Sequence, residues 1–302
     1  MRTKVTSLIT LIILISWACQ NSNSTAGSGS SDSISATKKY LAINCETCHA
    51  PAGEQSMRLA PPFLAIQKHY LEAYPQKEEF ERALIDFLES PKKEHALMQK
   101  AVEKYGLMPP MLISEEETQN LATFLFENEF RSGTVEPEAD SSLERKVKEL
   151  ALSTKKVLGT NLLAALEKGG KEYALEICNL RALSLTDSMS SLLNTSISRI
   201  SDKARNPQNR ANAYQRKILS EYQAELDAGD ELGVKFGQEE NQKFAFYPIL
   251  TNPMCLQCHG VSGESLDPDF EQHILSFYPE DSARAYGAGE IRGMWLIPLD
   301  SL

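Results

Sequence analysis

The chain has 302 residues, 41 acidic against 31 basic side chains, a formal charge of −10 and 42% hydrophobic residues. That length accommodates two domains of ordinary size, and the acidic balance argues against a nucleic-acid partner and for basic or weakly charged ones. Beyond the first 18 residues no apolar run is long enough to cross a bilayer.

The N-terminus reads Met1-Arg2-Thr3-Lys4, then an apolar run from Val5 to Trp17, then Ala18-Cys19. A basic start, a short apolar stretch and small residues before a cut make residues 1–18 a signal peptide, so the mature chain is exported. Cys19 follows Ser16-Trp17-Ala18, close to the lipobox at which bacterial lipoproteins are acylated, although Trp17 is larger than usual there. We expect Cys19 to be lipidated and residues 19–37 to join that anchor to the body as a flexible tether, because Gln20 to Ser31 is polar and rich in Ser and Asn. Acyl chains would hold the protein on a periplasm-facing or cell-surface membrane.

Two pentapeptides carry the chemistry: Cys45-Glu46-Thr47-Cys48-His49 and Cys255-Leu256-Gln257-Cys258-His259. Both are C-x-x-C-H, the pattern that attaches haem covalently. The two thiols add across the haem vinyl groups and the adjacent imidazole binds the iron. A structural zinc site would need four ligands closing on one another, and a redox dithiol has no use for a histidine directly after the second cysteine. We therefore expect two haem c groups, bound by Cys45 and Cys48 and by Cys255 and Cys258, with His49 and His259 as axial ligands.

After the first motif come Arg58-Leu59-Ala60-Pro61-Pro62-Phe63 and a helical pattern with Phe80, Leu84, Phe87 and Leu88 on one face. Next are Gly106-Leu107-Met108-Pro109-Pro110-Met111, then a helix that opens with Ser114 and Glu117 as a capping box and carries Leu121, Phe124 and Leu125 as its apolar stripe. His69 and His95 lie among charged residues and read as surface groups. With its early C-x-x-C-H, Met-Pro loop and aromatic C-terminal helix, the stretch 38–131 resembles a class I cytochrome c. The resemblance implies an all-α domain in which Met108 is the sixth iron ligand, with Met111 the nearest substitute. A neutral thioether favours ferrous iron and raises the potential.

Residues 132–141 are polar, contain Gly133 and Pro137, and form the natural boundary. Helical patterns follow over 143–168, with Val147, Leu150, Ala151, Leu158, Leu162 and Leu166 on one face, and over 172–193, with Gly169-Gly170 between them as a stop. Strand-like segments at 195–200, 244–250 and 291–299, with a helix near 211–226, make the second unit α+β.

Only 43 residues follow His259, and they hold no Met-Pro loop. A second class I fold does not fit there, so the second haem must be housed by the chain before its motif; this also counts against a di-haem peroxidase. Candidates for its sixth ligand are Cys178, Met189, His273 and Met294. Met254, beside Cys255, is too close to reach the far face. Cys178 is the cysteine left over once the anchor and both motifs are assigned. On the residues alone it is either an axial thiolate, which would lower the potential, or a small buried hydrophobe.

Residues 142–302 resemble a family of c-haem domains with a PAS-like fold, found as exported haem proteins and as sensing halves of receptors. The resemblance rests on Arg199, Arg205-Asn206-Pro207-Gln208-Asn209, Pro248, Cys255 to Gly260, Tyr278-Pro279-Glu280-Asp281-Ser282-Ala283, Tyr286, Gly289 and Arg292-Gly293. Ala285 departs from it, where Gly is expected. The resemblance implies long N-terminal helices, a small antiparallel sheet, and Cys178 as the axial ligand opposite His259. Arg199, Arg205 and Arg292 would pair haem propionates through the guanidinium fork, or make salt bridges within the protein.

The expected function is that of a membrane-anchored di-haem electron carrier rather than an enzyme. Electrons would pass from a low-potential His259/Cys178 haem to a high-potential His49/Met108 haem, with redox proteins as donor and acceptor. The alternative is a haem-based redox or gas sensor acting through a partner. A peroxidase is disfavoured because two six-coordinate irons leave no open site.

Overall fold

The computed structural model describes residues 28–49, 59–128, 130 and 142–302. The signal peptide expected over 1–18, Cys19, Arg58 and the linker expected over 132–141 lie outside the described residues. Among the described residues no helix is long and apolar enough to cross a membrane.

Residues 28–130 form helices α1 (Ser28–Asn44), α2 (Glu46–His49), α3 (Phe63–Ala73), α4 (Lys77–Glu89), α5 (Gln99–Tyr105) and α6 (Glu115–Glu127), with no strand among the described residues. Because α1 begins at Ser28, the tether expected over 19–37 is helical over its second half. Thr37, Leu41 and Asn44 recur at helical spacing and are buried, so docking of that face stabilises a segment whose composition reads as a linker. Phe80 is fully buried against Tyr70, Leu84, Leu121 and Leu125. The side chain of Ser114 accepts from the Glu117 backbone N–H and Glu117 reaches back to Ser114, completing the expected capping box of α6. Gln67 ties α3 to the end of α6, its amide donating to the carbonyls of Leu125 at 2.7 Å and Asn128 at 2.6 Å.

The second unit opens with α7 (Ser142–Leu192), broken where the two glycines predict it: Gly169 is non-helical and Gly170 has φ +70° and ψ −165°. Then come β1 (Ser198–Ile200), α8 (Ala213–Ala228), β2 (Lys235–Glu239), β3 (Gln242–Leu250), α9 (Pro253–His259), α10 (Pro268–Phe277) and β4 (Ile291–Pro298). The four strands form one antiparallel sheet in the order β1-β4-β3-β2. Alternation along the central strands buries both of its faces. Phe246 and Met294 pack with Ile218 and Tyr222 of α8, while Ala245, Trp295 and Ile297 pack with Val147, Leu150 and Ala151 of α7. The result is an α+β unit, a sheet between two helical layers, with α9 leaving directly from the end of β3.

Candidate functional site

The first motif lies on α2, immediately after α1. Cys45, Cys48, His49 and Met108 all line one cleft. The lining is overwhelmingly apolar, with Phe87 and Leu88 from α4 and Leu121 and Leu125 from α6. His49 Nδ1 meets the Pro61 carbonyl at 2.6 Å, and the ring stacks on Phe63 with centroids 5.2 Å apart. Burial holds the His49 imidazole below its ordinary pKa, and pushes the Cys45 thiol up to about 12 and the Cys48 thiol up to about 11. Met98, Met111 and Met254 line the same cleft as Met108.

The second motif lies on α9, capped by Asn252, whose side chain accepts from Cys255 N at 3.1 Å. His259 Nδ1 meets the Ala283 carbonyl at 2.8 Å. The loop carrying Ala283 is held in turn: Tyr286 N donates to the His259 carbonyl at 3.0 Å and Ala285 N to the Gly260 carbonyl at 2.9 Å. Glycine is required at 260, where the chain leaves α9, since a β-carbon there would fall 2.0 Å from Ser265 Oγ and 2.5 Å from the Leu256 carbonyl oxygen. Asp281, buried, pairs with Arg205 at 3.2 Å and accepts from Ala283 N at 2.9 Å, while Arg205 also donates to the Cys258 carbonyl at 2.5 Å. Burial first, then Arg205 and Arg292, hold the His259 imidazole well below its ordinary pKa.

Cys178, from the second half of α7, shares this environment. Burial raises its pKa, Arg199 and Arg205 pull it down, and its charge is felt at Cys258. The three arginines differ in what they already do. Arg205 is paired with Asp281, and Arg292 donates to Ser201 Oγ at 2.8 Å and to the Lys203 carbonyl at 3.1 Å. Among the described residues no carboxylate pairs with Arg199, whose charge is disfavoured by burial and by Arg292.

The donor sets fit a covalently held haem at each motif. Two thiols and an imidazole project from one helical turn, and each imidazole has Nδ1 occupied by a carbonyl, which leaves Nε2 as the nitrogen that could serve as a ligand. Among the described residues no three His, Cys, Asp or Glu side chains gather as a site for a bare metal ion, and Cys45, Cys48, Cys178, Cys255 and Cys258 are all free thiols.

Sequence reasoning did not find that the second unit closes the first cleft. Leu163 of α7, Asn252 and Met254 all line it. Met254 therefore faces the other motif's site, for which its position beside Cys255 gave no hint. Lys155, inside the apolar stripe of α7, has its pKa lowered by burial, with Cys48 and Cys255 opposing that shift.

An α+β unit with a C-x-x-C-H helix at the end of a sheet strand, preceded by a helical unit with a second such motif, is the class of protein that fold and site define. A family model described as Tll0287-like matches residues 114–299, well over half of the chain, so the chain belongs to the Tll0287-like family. The match begins at the N-cap of α6, ahead of the boundary expected at 142. Among solved structures, the crystal structure of the cyanobacterial heme-protein Tll0287 is similar at 16% identity and a TM-score of 0.38, over 51% of this chain and 94% of that one. No curated protein matches.

Proposed function

We propose that the chain is a di-haem c-type cytochrome, a lipid-anchored electron carrier of the periplasm or cell surface with redox proteins as its partners. One observation carries the reading: both motif histidines have Nδ1 engaged by a backbone carbonyl, Pro61 for His49 and Ala283 for His259. That is the arrangement of a histidine that ligates through Nε2.

Each haem would supply one-electron cycling between ferric and ferrous iron; the chain's residues set where each centre stands. In the first unit, a class I cytochrome c in this reading, Met108 would be the sixth ligand, and its neutral thioether would favour the ferrous state. In the second, Cys178 would be the sixth ligand. Burial raises the Cys178 pKa and Arg199 and Arg205 oppose that rise; bound to iron as the thiolate, it would favour the ferric state. With haem held at both motifs, these residues would set the His259/Cys178 centre lower in potential than the His49/Met108 centre, so that electrons would pass from the second to the first and on to an acceptor. Arg199, with no carboxylate of its own, is the residue best disposed to pair a propionate.

Low-temperature EPR of the holo-protein beside Cys178→Ala tests this. The expected result is a thiolate-type low-spin ferric signal in the wild type that is absent from the variant, with two haems per chain in both. A second centre unchanged by the substitution would return Cys178 to the core and remove the basis for the direction of flow.

A further inference from the structure

We propose that Gln257, inside the second motif, is a positioning residue for the sixth-ligand loop of the first: its hydrogen bond to the Pro110 carbonyl holds Met108 at the His49 site. The proposal rests on the di-haem reading and on Met108 as the ligand. Residues 106–114 form no helix or strand. Among the described residues, the backbone of 107–113 makes one hydrogen bond, the one that the Pro110 carbonyl accepts from Gln257 Nε2 at 2.9 Å. Pro109 and Pro110 have no N–H to offer and fix their own φ, and Met108, as the residue before a proline, is confined to extended backbone. The segment is therefore stiff within itself but tied down by little of its own. Gly106 fixes one end as the C-cap of α5, with its N–H on the Val102 carbonyl at 2.9 Å and φ +83°. Ser114 fixes the other as the N-cap of α6. Between them Gln257 holds the backbone, two residues beyond Met108.

The geometry of α9 explains why this residue faces the first unit. In a helix, positions three apart share a face. Cys255 and Cys258 are one such pair, and Cys258 packs against the buried cluster of Leu175, Leu266, Phe270 and Ile274 in the second unit. Met254 and Gln257 are another: Met254 lines the first cleft, as Met108 does, and Gln257 reaches Pro110. The same turn carries the cysteines of one centre and, on the neighbouring face, the support for the ligand loop of the other. The two middle positions of a C-x-x-C-H motif take no part in covalent attachment, so Gln257 is free to serve the other site. Loosening the loop lets the Met108 sulfur leave the iron more readily. A competing ligand then binds at lower concentration, and loss of the thioether lowers the potential of the His49 centre.

The test is an imidazole titration of the oxidised full-length holo-protein, followed by loss of the methionine-to-iron charge-transfer band, with haem counted per chain, for the wild type, Gln257→Leu and Gln257→Lys. We expect imidazole to displace Met108 at about fivefold lower concentration in Gln257→Leu, the ratio that one hydrogen bond of ordinary net strength supports. Gln257→Lys, which keeps a donor of similar reach, should stay near wild type, and the thiolate-type EPR signal of the His259 centre should be the same in all three. An unchanged imidazole midpoint in Gln257→Leu, an equal fall in Gln257→Lys, or a change confined to the His259 centre overturns the proposal. Fewer than two haems in the wild type, or no methionine-to-iron band, overturns the reading on which it rests. Should Gln257→Leu fail to load both haems, Gln257→Asn, one methylene short of the carbonyl, is read in its place by the same criteria.

Discussion

Ala285 has φ +59°, in the left-handed region that a β-carbon disfavours by about 1–2 kcal/mol. It sits inside the loop that holds His259, with its N–H on the Gly260 carbonyl. The sequence marks this place by an alanine where glycine is expected, and the backbone supplies the reason. Ala285→Gly should stabilise the protein by about 0.5–1 kcal/mol once the greater freedom of glycine in the unfolded chain is subtracted, seen as a rise in the denaturation midpoint. An unchanged or lower midpoint would mean that the loop does not carry this strain. Asp281 is the other residue on which His259 depends. Removing a buried partner strands the opposite charge, so Asp281→Ala should cost about 3 kcal/mol in a denaturant titration. Which arginine lacks a carboxylate was not legible, because Asp281 is distant from Arg205 in sequence and only the folded loop brings the two together.

Among the elements, α7 decides how the two halves of the second site meet. Its first half packs on the sheet, and its second half carries Cys178 toward α9 and its flanking loop. The break at Gly169 and Gly170 separates those directions, and it was legible because two consecutive glycines interrupt two long apolar stripes. Gly170 adopts a backbone conformation open almost only to glycine, so Gly170→Ala should cost about 1–3 kcal/mol, measured by thermal unfolding. A loss within experimental error would mean that the two halves can rejoin as one helix. Ser114 was equally legible as a cap, and Ser114→Ala should cost about 1 kcal/mol. Strand β2 was not legible. It is an edge strand, partnered only by β3, and Lys235-Phe236-Gly237-Gln238-Glu239 contains a single large apolar residue, which is 44% exposed. Its pairing is supplied by the β3 backbone and not by its own side chains. The short helix α9 was hidden for a related reason: its start is a proline, and its length is set by the motif and by Asn252.

For the whole molecule, the two units are not beads on a string. Ile43 of α1 approaches Gly289, Lys93 pairs with Glu167 of α7, and Leu163, Asn252 and Met254 wall the cleft of the first motif. The polar linker made separation of the domains the natural reading of the sequence. Nothing in a linear pattern reports that α9 and α7 face the other unit, because these contacts use single side chains scattered along the chain. The family match from residue 114 onward takes in α6, whose apolar face packs in the first unit, so the matched span crosses the boundary that composition suggests.

The order of the two potentials decides the proposed direction of electron flow. One reducing equivalent per chain, added to the fully oxidised holo-protein and followed by EPR at low temperature, reads that order directly. We predict that the signal of the His49/Met108 centre disappears first, while the thiolate-type signal of the His259/Cys178 centre persists until the second equivalent. Loss of the thiolate-type signal first, or parallel loss of both, would contradict the proposed direction of electron flow.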